Sequence, residues 1–235
     1  MNEQKIKVLV VGANGQLGKQ FHNQRHLFTQ LLLMSKQTLN ILDLNQISKV
    51  LKVHQPDIVI NCAAYTDVVG AEQNTKEAYD VNQVGVCNIA EICSEAGVKL
   101  IHISTDSVFD GNKKKPYNEQ DAVNPLNEYS RSKWAGEQEM FKRNPDGSSV
   151  IRVSWLYSNF GNNFYEKIIA QSSQKVELKV VDDQFSTPTY ARGLVEFIAN
   201  EMINTKHRGC ELFHFSDTGK ASWYEFAREV IKLDG

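Results

Sequence analysis

The sequence predicts an α/β protein with a doubly wound parallel sheet and a smaller C-terminal lobe. Three features point that way. Short apolar runs alternate with helix-period segments through the first two-thirds of the chain, a glycine-rich turn joins the first run to the first helix, and the alternation breaks after Trp155. Parallel strands need long crossover connections, which helices supply, so this alternation implies a parallel sheet covered on both faces. With 235 residues, the chain suits one large core and an appendage at roughly 150 residues per domain.

Residues 6–11 form the first apolar run and are expected to be a buried strand, and residues 31–35, 57–62, 100–104 and 150–154 repeat the pattern. Between the second and third runs, Leu44, Ile47, Val50 and Leu51 recur at helical spacing. Ala78, Val81, Gly85, Ile89 and Ile92 do so ahead of Gly97, which can end a helix. The stretch 109–127 is irregular and rich in Gly, Asn, Lys and Pro; loops of this length are usually functional, so it should overhang a pocket. Its lysines Lys113 to Lys115 read as a solvated charge run without a role. After Trp155 the pattern gives a helix over 163–174, a strand over 176–181, a helix over 191–203, a strand over 210–215 and a helix over 222–233 capped by Ser222. These segments form the expected lobe, 156–235, beside the carboxyl ends of the sheet strands in 1–155. The last helix runs so close to the end that further residues are expected beyond Gly235.

Hydrophobic residues at 41% and charged residues at 23% exclude disordered and fibrous classes. Basic and acidic residues nearly cancel, leaving a formal charge of −2, so neither nucleic acid nor an anionic membrane is an expected partner. No stretch approaches the roughly 20 apolar residues of a membrane-spanning helix, and residues 1–7 carry no signal-peptide pattern, so a cytoplasmic location is expected. Cys62, Cys87, Cys93 and Cys210 make no C-x-x-C pair and lie in apolar segments, as buried thiols do. His22 and His26 are four apart but lack the metalloprotease glutamate, so no metal site is expected. No nucleophile elbow accompanies His102 or His214, which disfavours hydrolase chemistry.

Gly12-Ala-Asn14-Gly15-Gln16-Leu17-Gly18 lies between the first strand and a helical face made by Leu17, Phe21 and Phe28. Gly12 permits the tight turn, Gly15 lets backbone approach a pyrophosphate, and Gly18 lets the helix pack closely, while the helix N-terminus offers free N–H groups. This is a Rossmann-like dinucleotide turn in its G-x-x-G-x-x-G form. The second strand ends in Ser35 and Lys36 where an acidic residue would favour NAD. A hydroxyl and a cation favour NADP(H), with NAD(H) as the alternative. Asp43, Leu44, Cys62, Ala63, Ala64, Tyr65 and Ser104 fall at strand ends on the same edge and complete the expected cofactor contacts.

Tyr129-Ser-Arg-Ser-Lys133 puts a phenol and an ammonium on one helical face, downstream of Ser104-Thr105 at a strand end. Reduction of a carbonyl needs a proton donor, and a phenol with its usual pKa near 10 is a weak one. Lys133 is expected to lower that pKa, and the Thr105 hydroxyl to hydrogen-bond the same carbonyl. Thr105, Tyr129 and Lys133 are thus the expected catalytic residues, the last two touching cofactor as well.

These motifs resemble the dTDP-4-dehydrorhamnose reductases of the extended short-chain dehydrogenase/reductase group. The resemblance runs from the glycine turn through residues 56–66, 104–111, 125–129 and 132–133 to 152–155, 183–184, 187–189 and 222–226. It implies reduction of the 4-keto group of a nucleotide-sugar, dTDP-4-dehydro-L-rhamnose, by NADPH or NADH. It also implies that Thr105, Asp106, Ser107, Phe109, Trp155 and Gln184 contact substrate. A homodimer is a compatible assembly. This sequence departs from the family pattern at Ser107, usually Tyr, at Val69 and Gly70, usually Asp and Lys, and at Ser130, often Gly. Two alternatives share the motifs: a non-catalytic NADP-binding subunit similar to the methionine adenosyltransferase β subunit, and a sugar-nucleotide epimerase. The retained Thr105, Tyr129 and Lys133 favour the enzyme. Dehydratases of the group carry an acid pair after the threonine, whereas Asp106 is followed by Ser107.

Overall fold

The apolar runs pair side by side as a parallel sheet. The computed structural model describes residues 5–174 and 177–234. The chain alternates through β1 (Lys7–Val11), α1 (Gln16–Asn23), β2 (Gln30–Met34), α2 (Leu44–His54), β3 (Ile58–Asn61), α3 (Val68–Gln73), α4 (Thr75–Tyr79), α5 (Gly85–Ala96), β4 (Lys99–Thr105), α6 (Glu128–Arg143) and β5 (Ser148–Val153). It continues through β6 (Leu156–Tyr157), α7 (Phe164–Ser172), β7 (Phe185–Ser186), β8 (Thr189–Tyr190), α8 (Ala191–Phe197), β9 (Cys210–Phe215), β10 (Ala221–Ser222) and α9 (Trp223–Asp234).

Six strands lie in the order β2-β1-β3-β4-β5-β9, every neighbouring pair parallel. From β1 the chain steps outward to β2, then crosses back to β3, so the order reverses between β1 and β3. The helices that follow them, α1 and α5, pack on opposite faces of the sheet, and open α/β sheets bind ligands at such a switch point. Alternate residues of the strands feed two cores. Val8, Val10, Ile58, Ile60, Ile101 and Ile151 pack with residues of α1 and α8. Leu9, Val11, Val59, Leu100 and Val150 pack with residues of α2, α5 and α6. A period of two with both faces apolar is what helices on both sides demand.

The second half of the chain differs from the sequence reading in two places. Residues 210–215, expected in the smaller lobe, form β9 and pair with the whole of β5. The reason is coverage: β5 is buried at every position, and β9 supplies Phe213 and Phe215 to one core and Cys210 and Leu212 to the other. The expected strand over 176–181 is irregular from 177 to 181, and Val176 lies outside the described residues. Leu178 and Val180 instead rest on Ile168, Ala227 and Val230, so the alternation there reflects packing on α7 and α9. Helix ends follow their caps. Gly97 closes α5 at a φ of 66°, and Ser222 and Glu225 make a reciprocal capping box at the start of α9. Among the described residues no helix is long and apolar enough to cross a membrane.

Candidate active site

The crevice between β1 and β3 is built from backbone at close quarters. Gly12 turns the chain at a φ of 85°, and its N–H and that of Ala13 donate to the Met34 carbonyl at 2.9 and 3.0 Å, binding the turn to the end of β2. A Cβ at Gly12 would lie 2.6 Å from the Ala63 nitrogen, and one at Gly18 would meet the Gly12 carbonyl and, at 2.5 Å, Ala13. Gly15 begins α1 without a side-chain cap, leaving the helix N-terminus to an outside acceptor. A dinucleotide pyrophosphate fits this cradle. Beyond it, Ser35 and exposed Lys36 follow β2, while Asp43 caps α2 by accepting from the Gln46 N–H at 3.0 Å.

The opposite wall, residues 62–65, is held from behind. Asn61 accepts from the Ala63 N–H at 3.1 Å and donates to buried His102 at 3.2 Å. Asn82 accepts from the Tyr65 N–H at 2.9 Å and returns its amide to the Tyr65 carbonyl at 3.0 Å and the Ser132 hydroxyl at 2.9 Å. Asn82 sits in a π-helical turn, Asp80–Val84, and Gly136 lets α6 approach its carbonyl. A π turn is an uncommon device that re-aims side chains near functional sites.

Asn127 caps α6 through the Ser130 N–H at 2.8 Å, which sends Tyr129 and Lys133 toward the end of β4. The structure brings Thr105, Asp106, Ser107, Tyr129 and Lys133 together. The Thr105 hydroxyl lies 3.0 Å from that of Ser107 and accepts from the Ser107 N–H at 3.1 Å. Burial pushes the Tyr129 phenol up to about 12, against a hydrogen bond with Thr105 and with the help of Asp106. Lys133 is 2% exposed, and burial lowers it to about 8, with Glu137 and then Cys62 opposing. The expected lowering of the phenol by Lys133 is therefore corrected. Desolvation dominates at Tyr129, and the Lys133 ammonium donates to the Ile103 carbonyl at 2.7 Å.

Several other expected contacts are redirected. The Ser104 hydroxyl donates to buried Glu137 at 2.5 Å rather than facing the crevice. Leu17 is buried in the core, so only its backbone reaches the turn, and the Gln16 amide crosses to the Leu156 carbonyl at 2.9 Å. Phe109 stacks on Tyr117 with ring centroids 4.2 Å apart and carries the Arg152 guanidinium over its ring at 5.1 Å, which occupies it within the loop. Trp155, at a φ of 37°, stacks on Trp223 at 3.5 Å. Gln184 is exposed on the strap carrying Ser186, whose hydroxyl donates to Asp106 at 3.1 Å. Asn82, Ser186 and Trp223 are site residues that the sequence reading missed. Ser186 and Trp223 lie within or beside matched segments, whereas nothing local marks Asn82.

Asp106 gives the site a pH dependence. Burial raises its carboxyl from 3.8 to about 6, against hydrogen bonds from Ser186 and Thr105. The folded value exceeds the unfolded one, so the contribution to stability is complete below about pH 4 and is lost as pH rises through about 6. Asp106→Asn is expected to stabilise the protein above pH 6 by up to about 3 kcal/mol, the gain vanishing near pH 4. Melting temperatures of both proteins from pH 4 to 8 check this, and a gain independent of pH overturns it.

The family model described as RmlD substrate binding domain matches residues 6–235. The spore coat polysaccharide biosynthesis protein SpsK of Bacillus subtilis is 36% identical over 230 residues, covering 97% of this chain and 80% of its own. A dTDP-4-keto-6-deoxy-D-glucose reductase of Streptomyces niveus is 35% identical over 228 residues, covering 97% and 78%. The crystal structure of dTDP-4-dehydrorhamnose reductase from Bacillus anthracis in complex with NADP superposes with a TM-score of 0.91 at 36% identity, covering 99% of this chain and 82% of that one.

Proposed function

We propose, from the premise that this chain belongs to the dTDP-4-dehydrorhamnose reductase family, that it is an NADPH-dependent oxidoreductase reducing the 4-keto group of a dTDP-sugar, dTDP-4-dehydro-L-rhamnose, to the alcohol. The observation that carries this reading is the convergence of Thr105, Tyr129 and Lys133 beside the glycine cradle. When bound, the nicotinamide supplies the hydride. Tyr129 is protonated at neutral pH and donates its proton to the carbonyl oxygen, and the Thr105 hydroxyl orients that oxygen by hydrogen bonding. Lys133, buried with its ammonium on the Ile103 carbonyl, supplies the positive charge of the site. Asp106, Ser107 and the Trp155–Trp223 stack border the sugar. The reading carries with it a cytoplasmic location and a homodimer, checked by fractionation and by light scattering.

NADPH oxidation with a panel of nucleotide 4-keto sugars tests the activity. Turnover with the dTDP-4-dehydrorhamnose substrate supports it. Tight NADP binding without turnover on any sugar overturns it in favour of a non-catalytic subunit. Cofactor choice rests on Ser35 and Lys36, next to the turn bonded to Met34. Lys36→Glu is expected to weaken NADPH by about 1 to 2 kcal/mol more than NADH, read as the ratio of the two KM values. An unchanged ratio removes Lys36 from 2′-phosphate recognition.

A further inference from the structure

One face of α6 is stitched to three consecutive residues of β4. Tyr129, Lys133 and Glu137 stand four residues apart, so they share that face. Tyr129 lies beside Thr105, the Lys133 ammonium donates to the Ile103 carbonyl at 2.7 Å, and Glu137 accepts from the Ser104 hydroxyl at 2.5 Å. Glu137 is fully buried. It is gripped from β5 by Arg152, whose Nη2 donates at 2.6 Å to one carboxylate oxygen and whose Nε donates at 2.9 Å to the other. The buried cluster thus holds two cations, Lys133 and Arg152, around the Glu137 carboxylate, with the half-exposed Glu119 carboxylate and His214 facing Arg152 from its outer side. Arg152 Nη1 is buried without a partner among the described residues.

We propose that Glu137 is a positioning residue of the reductase site, the group that balances the buried charge of Lys133 and, through Ser104, holds Ile103 and Thr105 in register with Tyr129 and Lys133. This rests on the reductase reading above. The groups facing Lys133 are few. Glu137 comes from its own helix, the Cys62 thiol from the end of β3 and His102 from β4, with Arg152 of β5 behind Glu137. Burial holds the thiol and the imidazole neutral, which leaves Glu137 as the anion of the cluster. A guanidinium keeps its proton under all ordinary conditions, whereas a buried ammonium can release it. Without the carboxylate, the excess positive charge is relieved at Lys133, and catalysis loses its ammonium first.

The test is Glu137→Gln in the full chain, read two ways. The alkaline limb of kcat, where Lys133 deprotonates, should move down by about 1 to 3 pH units, with KM for NADPH changing less. The NMR titration of Lys133, followed in protein carrying carbon-13 at the lysine Cε and assigned with Lys133→Arg, should move the same way. Glu137→Gln/Arg152→Met removes the ion pair as a whole and leaves no unpaired guanidinium, so it provides a foldable second variant in which Lys133, without its carboxylate, should still titrate below wild type. A uniform fall in kcat at every pH, with the Lys133 titration in its wild-type place, reduces Glu137 to a structural residue and overturns the proposal. If wild type reduces no 4-keto sugar, the functional reading fails, while the titration still decides whether Glu137 governs Lys133.

Discussion

Tyr129→Phe is expected to lower turnover by about 10² to 10⁴ while NADPH binding persists, the range that general acid catalysis usually contributes. The substitution keeps the ring and its packing beside Thr105 and removes the one hydroxyl placed to protonate the nascent alkoxide. The raised phenol, at about 12, keeps the donor protonated at neutral pH and makes it a weaker acid, so the transfer depends on an alkoxide basic enough to take its proton. Lys133→Met should do comparable damage and, on the cofactor contact proposed for its ammonium, also weaken NADPH. In the double variant the two losses should not add, since both residues serve one transfer. Stopped-flow turnover and equilibrium NADPH titration on the three variants separate these effects. Near-normal turnover of Tyr129→Phe on a verified substrate discards the mechanism.

The largest loss of stability is expected at Gly12→Ala. An alanine there must adopt a φ of 85°, a strain of about 1 to 3 kcal/mol. Its methyl also lands 2.6 Å from the Ala63 nitrogen, and relieving that overlap costs about 1 to 3 kcal/mol more. The strain has nowhere harmless to go, because Gly12 and Ala13 are bonded to Met34 on one side and abut residues 62–63 on the other. Either the turn or the 62–65 wall must move, and NADPH affinity falls with whichever does. For a domain of this size each kcal/mol shifts the melting temperature by about 2 to 4 °C. Calorimetry with and without NADPH checks both halves. A variant as stable as the parent that binds NADPH equally well contradicts the packing described.

What could be read in the sequence follows the range of the forces involved. The five strands of the first two-thirds, the glycine turn and the Ser222 cap are local, fixed by periodicity or by residues three apart, and the structure places them within a residue or two. Long-range commitments were not legible. Ser104 looks like any strand-end hydroxyl until α6 brings Glu137 against it. Phe109 resembles a pocket aromatic until Tyr117 and Arg152 cover its ring. Residues 210–215 have the same composition as a lobe strand, and only the need to cover β5 assigns them to the main sheet. The reversed pKa of Tyr129 has the same origin, since spacing shows which charges are near but not how much water is gone.

The return of the chain to the main sheet at β9 decides how the molecule can be divided. The polypeptide leaves the sheet after β5, comes back through α8 and β9, and leaves again into β10 and α9. The substrate-side segments are therefore sewn to the core along three seams rather than hung from a single hinge. A fragment ending at residue 155 would strip the sheet of its edge strand, expose β5 as a raw edge and uncover the face packed by α8. Such a fragment should aggregate rather than serve as a minimal NADPH-binding unit. Any working subdivision must keep residues 191–215 with the core and treat 156–190 as an excursion between two of its own strands.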